Sequence, residues 1–327
     1  MSLGVAQTNF SGVSAPITLW ILDHEFRYIS EQVEFLCSSM AKHGYVVRVS
    51  RRPNPRTLNV VIEGFSSHTA AAVSEFCRVN RKRVAVLLSE HLDFVGGRVF
   101  FHGVEINSRD DYIRPDSKLQ RFIALVTLRE CVRGFLRLGD LPRLHGLHEM
   151  IPDVEVLSIP YPVMRTADRS LRQLRSPVGK RFDFVFTGVL TTYRQRVLSG
   201  LSRDFNVYVG REAVSRRRRD ALNATGRLVL NIPQNERWSW ISMMRVLAAL
   251  RCRRATLAIG DFEPTLADSF CVRLTPQAVE DAVLHDFLGR SEEVFHQCLA
   301  AYEGLVNSER NPPFPHRFLE LWAQLEL

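Results

Sequence analysis

The chain has 327 residues, and 43 Lys+Arg against 35 Asp+Glu give it a formal charge of +8. At ~100 to 200 residues per domain this length predicts about two domains, and 46% hydrophobic with 24% charged residues excludes the disordered and fibrous classes. Only Lys42, Lys82, Lys118 and Lys180 are lysines, leaving 39 arginines. Arginine suits bidentate phosphate or carboxylate binding, although a GC-rich coding genome produces the same skew.

Ala15 to Leu22 (APITLWIL) reads as a strand closed by Asp23-His24, and Phe26 to Met40 as a helix ending near Gly44. Strands follow at Tyr45 to Val49, Leu58 to Ile62 and Arg83 to Leu88, with a helix over Ser67 to Val79 between the last two. Alternation of this kind predicts a parallel sheet covered on both faces. Asp110 to Met150 reads as mostly helical, with IALVTLRECVRGFLRL its clearest amphipathic element, and Val154 to Ile159 as a further strand.

Between Met164 and Lys180 the chain turns polar and Arg-rich, so a domain boundary is placed there. A second series of strands runs through Phe182 to Phe186, Phe205 to Val209, Arg227 to Ile232 and Ala255 to Ile259, with helices near Tyr193 to Leu201 and Trp238 to Arg251. Helices are also expected over Val294 to Val306 and His316 to Leu325. The expected fold class is α/β, two Rossmann-like parallel-sheet domains facing a cleft. Residues 1–165 form the first, 166–312 the second, and 313–327 a terminal helix packing back on the first.

The six cysteines, at 37, 77, 131, 252, 271 and 298, form no CxxC pair and sit mostly in apolar segments, so they read as buried reduced thiols. The first residues lack a basic n-region and an apolar h-region, and no apolar run approaches the ~18 residues of a membrane span. The expected location is the cytoplasm.

Ligands of open α/β sheets collect beyond the carboxyl ends of strands. In the second half those positions are Thr187, Gly188, Gly210, Arg211, Pro233, Gln234, Asn235, Gly260 and Asp261. Glycine there lets backbone N–H groups approach a phosphate, and a helix N-terminus adds partial positive charge. In the first half Asp23, His24, Glu90 and His91 stand at strand ends. His24 beside Asp23 is a candidate base and Glu90 a candidate binder of a hydroxyl, with helix capping the competing reading.

The histidines are scattered and no DxD stands at a strand end, so no metal site is expected. Missing GxGxxG, P-loop and GxSxG motifs argue against dinucleotide oxidoreductases, P-loop NTPases and α/β hydrolases. Arg216 to Arg219 read first as a solvated helical face, then as a surface for an anionic partner, and least as a diphosphate contact. Trp238 and Trp240 point to opposite sides of any regular element, one suited to stacking on a base and the other to the core.

The block LNIPQNERWSWISMMRVLAALRCRRATLA, with DFVFTG and YRQRVLSGL, resembles the donor-binding domain of GT-B glycosyltransferases, especially the spore-maturation-protein-like (CgeB) group. That resemblance covers roughly Phe182 to Asp261 and is architectural before Tyr161. It implies a metal-independent transferase using a nucleoside diphosphate-sugar such as a UDP-sugar as co-substrate, with no other cofactor and an unidentified acceptor. It places Gly188 under the diphosphate, offers Arg194 and Arg245 as positive charge, and lines the donor pocket with Asn231 to Trp238, Gln234 and Asn235 among them. Gly210 and Asp261 join this set as strand-end residues. The chain departs from the family at Ala248, where many retaining members carry a ribose-binding Glu, and at Arg253-Arg254, where a small residue is usual. A catalytically silent module binding a nucleotide, a glycan or a polyanion such as nucleic acid is the alternative, and a nucleotide-sugar epimerase a third reading.

Overall fold

A computed structural model describes residues 17–106, 115–140, 146–151, 154–164, 180–210, 214–315 and 317. The first part of the chain gives β1 (Ile17–Trp20), α1 (Phe26–Lys42), β2 (Val47–Ser50), β3 (Leu58–Ile62), α2 (Ser67–Asn80) and β4 (Val84–Leu87). Then come β5 (Leu92–Val95), β6 (Arg98–Phe101), β7 (Val104–Glu105), α3 (Pro115–Thr127), a 3-10 turn (Arg129–Cys131), β8 (Val132–Leu138), α4 (Leu147–Met150) and β9 (Glu155–Ile159). Six of these strands form one parallel sheet, ordered β2-β1-β3-β4-β8-β9, and β5 to β7 form a separate antiparallel sheet.

The second part gives β10 (Phe182–Phe186), α5 (Thr192–Leu201), β11 (Val207–Val209), α6 (Arg216–Asn223), β12 (Gly226–Asn231), α7 (Met243–Arg251), β13 (Ala255–Ile259) and β14 (Val272–Leu274). The helices α8 (Asp281–Gly289) and α9 (Ser291–Val306) complete it. Its sheet is parallel throughout, in the order β11-β10-β12-β13-β14. The fold is therefore α/β with two Rossmann-like sheets, as the strand and helix alternation predicts.

Alternation along the central strands shows why both faces of the first sheet are covered. Leu58, Val60 and Ile62 of β3 join the core that contains α1, whereas Val61 joins the core that contains α2 and α3. The core on the α1 side continues without a break into Phe184, Leu228 and Leu257 of the second sheet. Apolar burial thus holds the two sheets together, at roughly 25 cal/mol for each Å² removed from water.

Polar contacts fix their relative orientation. Arg216 pairs with Glu34 at 2.7 Å, Arg219 pairs with Glu31, and Arg251 bridges Glu34 and Asp220 at 2.8 Å each. Tyr161 donates its hydroxyl proton to Asp140 Oδ1 at 2.6 Å, and Asp140 Oδ2 accepts the Leu266 N–H at 2.8 Å. Asn311 accepts from and donates to the Tyr161 backbone, and Phe314 stacks on His43 and Tyr45, so the chain returns to the first sheet's side after α9.

Four expectations change. The stretch IALVTLRECVRGFLRL is not one helix: α3 ends at Thr127, and Val132–Leu138 is the strand between β4 and β9. A strand buried on both faces is apolar nearly throughout, so over a short window it imitates a helix period. The helix near Trp238 begins only at Met243, since Trp238 to Ser242 belong to no regular element and Ser242 itself is extended. The arginine run is no freely solvated face: Arg216 and Arg219 tie α6 to α1, and only Arg217 and Arg218 are exposed. The two tryptophans do not divide into one core residue and one free to stack on a base, since both are buried and both already stack on histidines. The domain boundary placed in 166–179, the helix expected over His316 to Leu325, and Arg211 lie outside the described residues, Arg317 excepted.

Candidate active-site cleft

In a doubly wound sheet the crevice opens where the strand order reverses. In the second sheet that place is between β10 and β12, whose ends carry Thr187-Gly188 and Ile232 to Gln234. A cleft of about 350 Å³ opens there, and it is closed on the opposite side by α1 and by Ser89 to His91 after β4. The carboxyl ends of both sheets therefore face the same space.

Gly188 has a physical reason to be glycine. A methyl group at its Cα would stand 2.6 Å from Arg245 Nη2 and 2.7 Å from Phe186 Cζ, so the guanidinium lies directly against the backbone. Arg245 occupies the first turn of α7 and sits 5.4 Å above the Phe186 ring. Ser242, the residue that would cap α7, makes no side-chain cap, and its carbonyl is held by Asn231 Nδ2 at 3.0 Å. A guanidinium, a side-chain-free backbone and an uncapped helix start converge here, the combination that favours an anion.

Arg194 has a different task from the one expected. It is 2% exposed, its Nε and Nη2 donate to the Ile232 carbonyl at 2.9 and 2.7 Å, and its Nη1 donates to the Val189 carbonyl at 2.7 Å. It braces the two loops at the switch point against each other. Thr191 adds to this brace by donating to the Gln234 carbonyl at 2.7 Å.

The first sheet contributes a charged network. Glu63, 3% exposed at the end of β3, accepts two bonds from Arg121 at 2.8 and 3.0 Å and one from Ser89 at 2.9 Å. Next to it Glu90 accepts from His102 Nε2 at 2.8 Å. Burial alone would raise the Glu90 carboxyl, but the hydrogen bond and charge of His102, with Arg121 and Lys118 nearby, bring it down to about 2. Lys118, over the Phe101 ring at 3.8 Å, is brought down to about 8 by burial.

His102 is presented by a two-residue turn between β6 and β7 in which His102 and Gly103 have φ of 52° and 80°. A left-handed conformation on a non-glycine residue costs roughly 1 kcal/mol or more and marks a position held by its surroundings. What holds it is an aromatic stack between the two halves of the chain. His102 lies on Trp238 with centroids 4.1 Å apart, and His91 lies on Trp240 at 5.0 Å.

Several cleft-lining side chains carry buried atoms that meet no hydrogen-bond partner among the described residues: Gln32 Oε1, His102 Nδ1, Gln234 Oε1 and Trp238 Nε1. Trp238 is only 6% exposed. Orphaned buried polar atoms cost about 1 to 3 kcal/mol each, so their gathering around one cleft singles it out as the candidate ligand site.

Of the sequence-selected residues, Gly188, Arg194, Asn231, Gln234, Trp238, Arg245 and Glu90 line this cleft. Asp23 and His24 do not: Asp23 is exposed, and His24 Nε2 faces the Ile62 carbonyl at 3.4 Å beside Gly64. Gly210 instead donates its N–H to the Phe186 carbonyl at 2.8 Å, Asn235 Oδ1 accepts the Arg237 N–H at 2.8 Å in its own turn, and Asp261 is exposed away from the lining. His102, Gln32 and Tyr28 line the cleft without having been singled out. The readable sign for His102 was the paired two-residue turns Gly96-Gly97 and His102-Gly103, a hairpin signature.

Among the described residues no group of three His, Cys, Asp or Glu gathers as metal ligands, and no helix is long and apolar enough to cross a membrane. No family model matches the chain, and no curated sequence relative matches it. Solved structures with a similar outline include two UDP-forming α,α-trehalose-phosphate synthases. The one from Burkholderia vietnamiensis is 8% identical over 77% of this chain and 69% of its own, with a TM-score of 0.40. The one from Burkholderia xenovorans is 9% identical over 92% and 79%, with a TM-score of 0.42. TarM is 8% identical over 83% of this chain and 54% of its own length, with a TM-score of 0.44.

Proposed function

We propose that the protein is a glycosyltransferase of the GT-B type that takes a sugar from a nucleoside diphosphate-sugar, as its resemblance to the spore-maturation-protein-like group implies. The observation that carries this reading is the packing of Arg245 against Gly188 at the start of α7, opposite the Glu90–His102 pair in the same cleft. The diphosphate sits at Gly188, and Arg245 with the α7 terminus stabilises it as it departs, which is where electrostatic catalysis has most to gain. The donor needs no divalent ion in this scheme. The cleft-lining carboxylates Glu31 and Glu90 are already held by Arg219 and His102.

On the acceptor side, the neutral form of His102 that donates Nε2–H to ionised Glu90 carries its lone pair on Nδ1. That nitrogen takes the proton of the attacking hydroxyl, and Glu90 stabilises the imidazolium that forms. Asp23 and His24, outside the cleft, have no part in this step.

A thermal-shift series with UDP, GDP, dTDP, CDP and their sugar conjugates, in EDTA, tests the donor half. Selective stabilisation by one diphosphate follows from mass action on the folded state; no shift with any of them would refute the donor site. A second reading is favoured by Ala248, which lines the cleft where a ribose-binding carboxylate is usual in many retaining members: a module that binds the nucleotide without turnover. It predicts the same shift but no release of sugar from the conjugate.

A further inference from the structure

The loop between β12 and α7 joins the two ends of the proposed reaction. It touches the first domain where Trp238 stacks on His102 with centroids 4.1 Å apart, and it ends at α7, whose first turn carries Arg245. Two of its cleft-lining side chains, Gln234 and Trp238, each hold a buried atom that meets no hydrogen-bond partner among the described residues, Oε1 and Nε1 respectively. Both residues are firmly placed. Thr191 donates to the Gln234 carbonyl at 2.7 Å, the Trp238 backbone N–H donates to the Asn235 carbonyl at 3.1 Å, and the Trp238 ring meets Phe101 edge-on at 5.7 Å. An indole N–H only donates and an amide oxygen only accepts. Neighbouring hydroxyls on one ligand satisfy both, whereas a carboxylate serves the indole and leaves the amide oxygen unmet.

The fixed charges point the same way. Glu31 and Glu90 are the lining carboxylates among the described residues, and Glu90 accepts from the same His102 that lies on Trp238, at 2.8 Å. The lining arginines are engaged elsewhere: Arg194 by the Ile232 and Val189 carbonyls, Arg219 by Glu31, and Arg27 by Glu25 at 2.7 Å. Arg245 lies against Gly188, where the diphosphate is placed. Arg121, 3.9 Å from Glu90, and Lys118, over the Phe101 ring, are not among the lining residues.

We infer that the transferred sugar is an uncharged hexose, read through its hydroxyls by Trp238 Nε1–H and Gln234 Oε1, and that Glu90 excludes sugar acids. The inference rests on the donor reading above and adds the class of sugar to it. A sugar carboxylate held beside Glu90 sets like charges against each other, a standard means of rejecting a wrong partner. A ligand lacking the hydroxyls leaves the indole N–H and the amide oxygen buried without partners, which a site built to bind hydroxyls discriminates against strongly.

Calorimetric titration of the full-length protein at pH 7 in EDTA tests this with UDP and two matched pairs, UDP-glucose with UDP-glucuronic acid and UDP-galactose with UDP-galacturonic acid. Each pair differs only at C6, and the same set is built on GDP, dTDP or CDP where that diphosphate is the one that stabilises the fold. In at least one pair the neutral conjugate should bind ~10-fold or more tightly than its acid. Trp238→Phe should weaken that neutral conjugate about 5-fold and leave the bare diphosphate unchanged. Glu90→Gln should narrow the gap between the neutral and acidic conjugates; should that variant not fold, the Trp238→Phe comparison decides. Equal affinities in both pairs, or a Trp238→Phe protein that loses the bare diphosphate as much as the conjugate, would overturn the inference and leave the donor site standing. Absence of binding by every diphosphate would remove the donor site and the inference with it.

Discussion

Gly188→Ala is the sharpest single test of the donor site. Its methyl would stand 2.6 Å from Arg245 Nη2 and 2.7 Å from Phe186 Cζ, about 1 Å inside the ~3.5 Å at which non-bonded atoms sit comfortably. Phe186 is 0% exposed and lies under both the Arg194 and the Arg245 guanidinium groups, so it has nowhere to go. The far end of Arg245 therefore moves, by roughly 1 Å, which takes an N–H···O contact out of its useful range. Loss of one preorganised donor to developing charge costs about 3 to 4 kcal/mol, or ~10²- to 10³-fold in turnover. Residual overpacking against Phe186 costs about 1 to 3 kcal/mol of stability. The assay is release of sugar from whichever conjugate stabilises the fold, with urea unfolding in parallel. Because the methyl acts by displacing Arg245, the Gly188→Ala, Arg245→Ala double variant should be hardly slower than Arg245→Ala alone. A folded Gly188→Ala protein with wild-type turnover, or a double variant in which the two losses multiply, would refute the reasoning.

Other expectations follow from the same geometry. Arg251→Ala leaves Asp220, whose side chain is 11% exposed, without its closest cation, and urea unfolding should show a loss of about 3 to 5 kcal/mol. Arg217→Ala and Arg218→Ala, on the exposed side of α6, should stay within about 0.5 kcal/mol of wild type. Glu90, brought down to about 2 from 4.5, contributes stability that is fully present above pH 4.5 and lost as the pH falls towards 2. Glu90→Gln should therefore be less stable than wild type by about 2 kcal/mol at pH 6, and the gap should close between pH 4.5 and 2; a gap independent of pH would contradict the ionised carboxylate. Trp238→Phe keeps the ring on His102 but removes the buried indole N–H, and calorimetry should show nucleotide-sugar affinity weakened by about 1 kcal/mol.

Four strands of the second sheet were legible because a turn-forming residue stands at or just past their ends: Gly188 near FDFVF, Gly210 after VYV, Pro233 after RLVLNI and Gly260 after ATLAI; β14 was not read from the sequence. The first of those ends fixed Gly188 as a candidate, whereas Arg245 came from the resemblance to the donor-binding domain. The strand β8 was not legible, since VRGFLRL next to α3 extends an apolar pattern that suits a buried strand and a helix equally well. The acceptor side was legible only in part. Glu90 stood at a strand end and was found, but its partner His102 sits twelve residues further on, across a hairpin, and nothing local in the sequence places the two rings and the carboxylate together. Asp23-His24 had the same local look as Glu90-His91. What separates them is that the β4 end faces the second sheet, and that is a property of how the domains dock.

Docking also positions the loop after β12. The residues from Pro233 to Ser242 belong to the second domain by sequence, yet Trp238 is counted in the apolar core of the first, next to Phe101 and Val104. Gly103 at the tip of the β6–β7 turn comes close enough that a methyl there would lie 3.6 Å from Ser239 Oγ. Gln234 lies in this stretch and α7 follows it, so the groups proposed to hold the donor are positioned by the hairpin that carries His102. A left-handed His102, two indole–imidazole stacks and the Glu31, Glu34, Arg216, Arg219 and Arg251 ion network all lie between the two sheets. Neither domain alone has the cleft. The ion pairs of Arg216, Arg219 and Arg251 with Glu31 and Glu34 hold the two halves against each other around it.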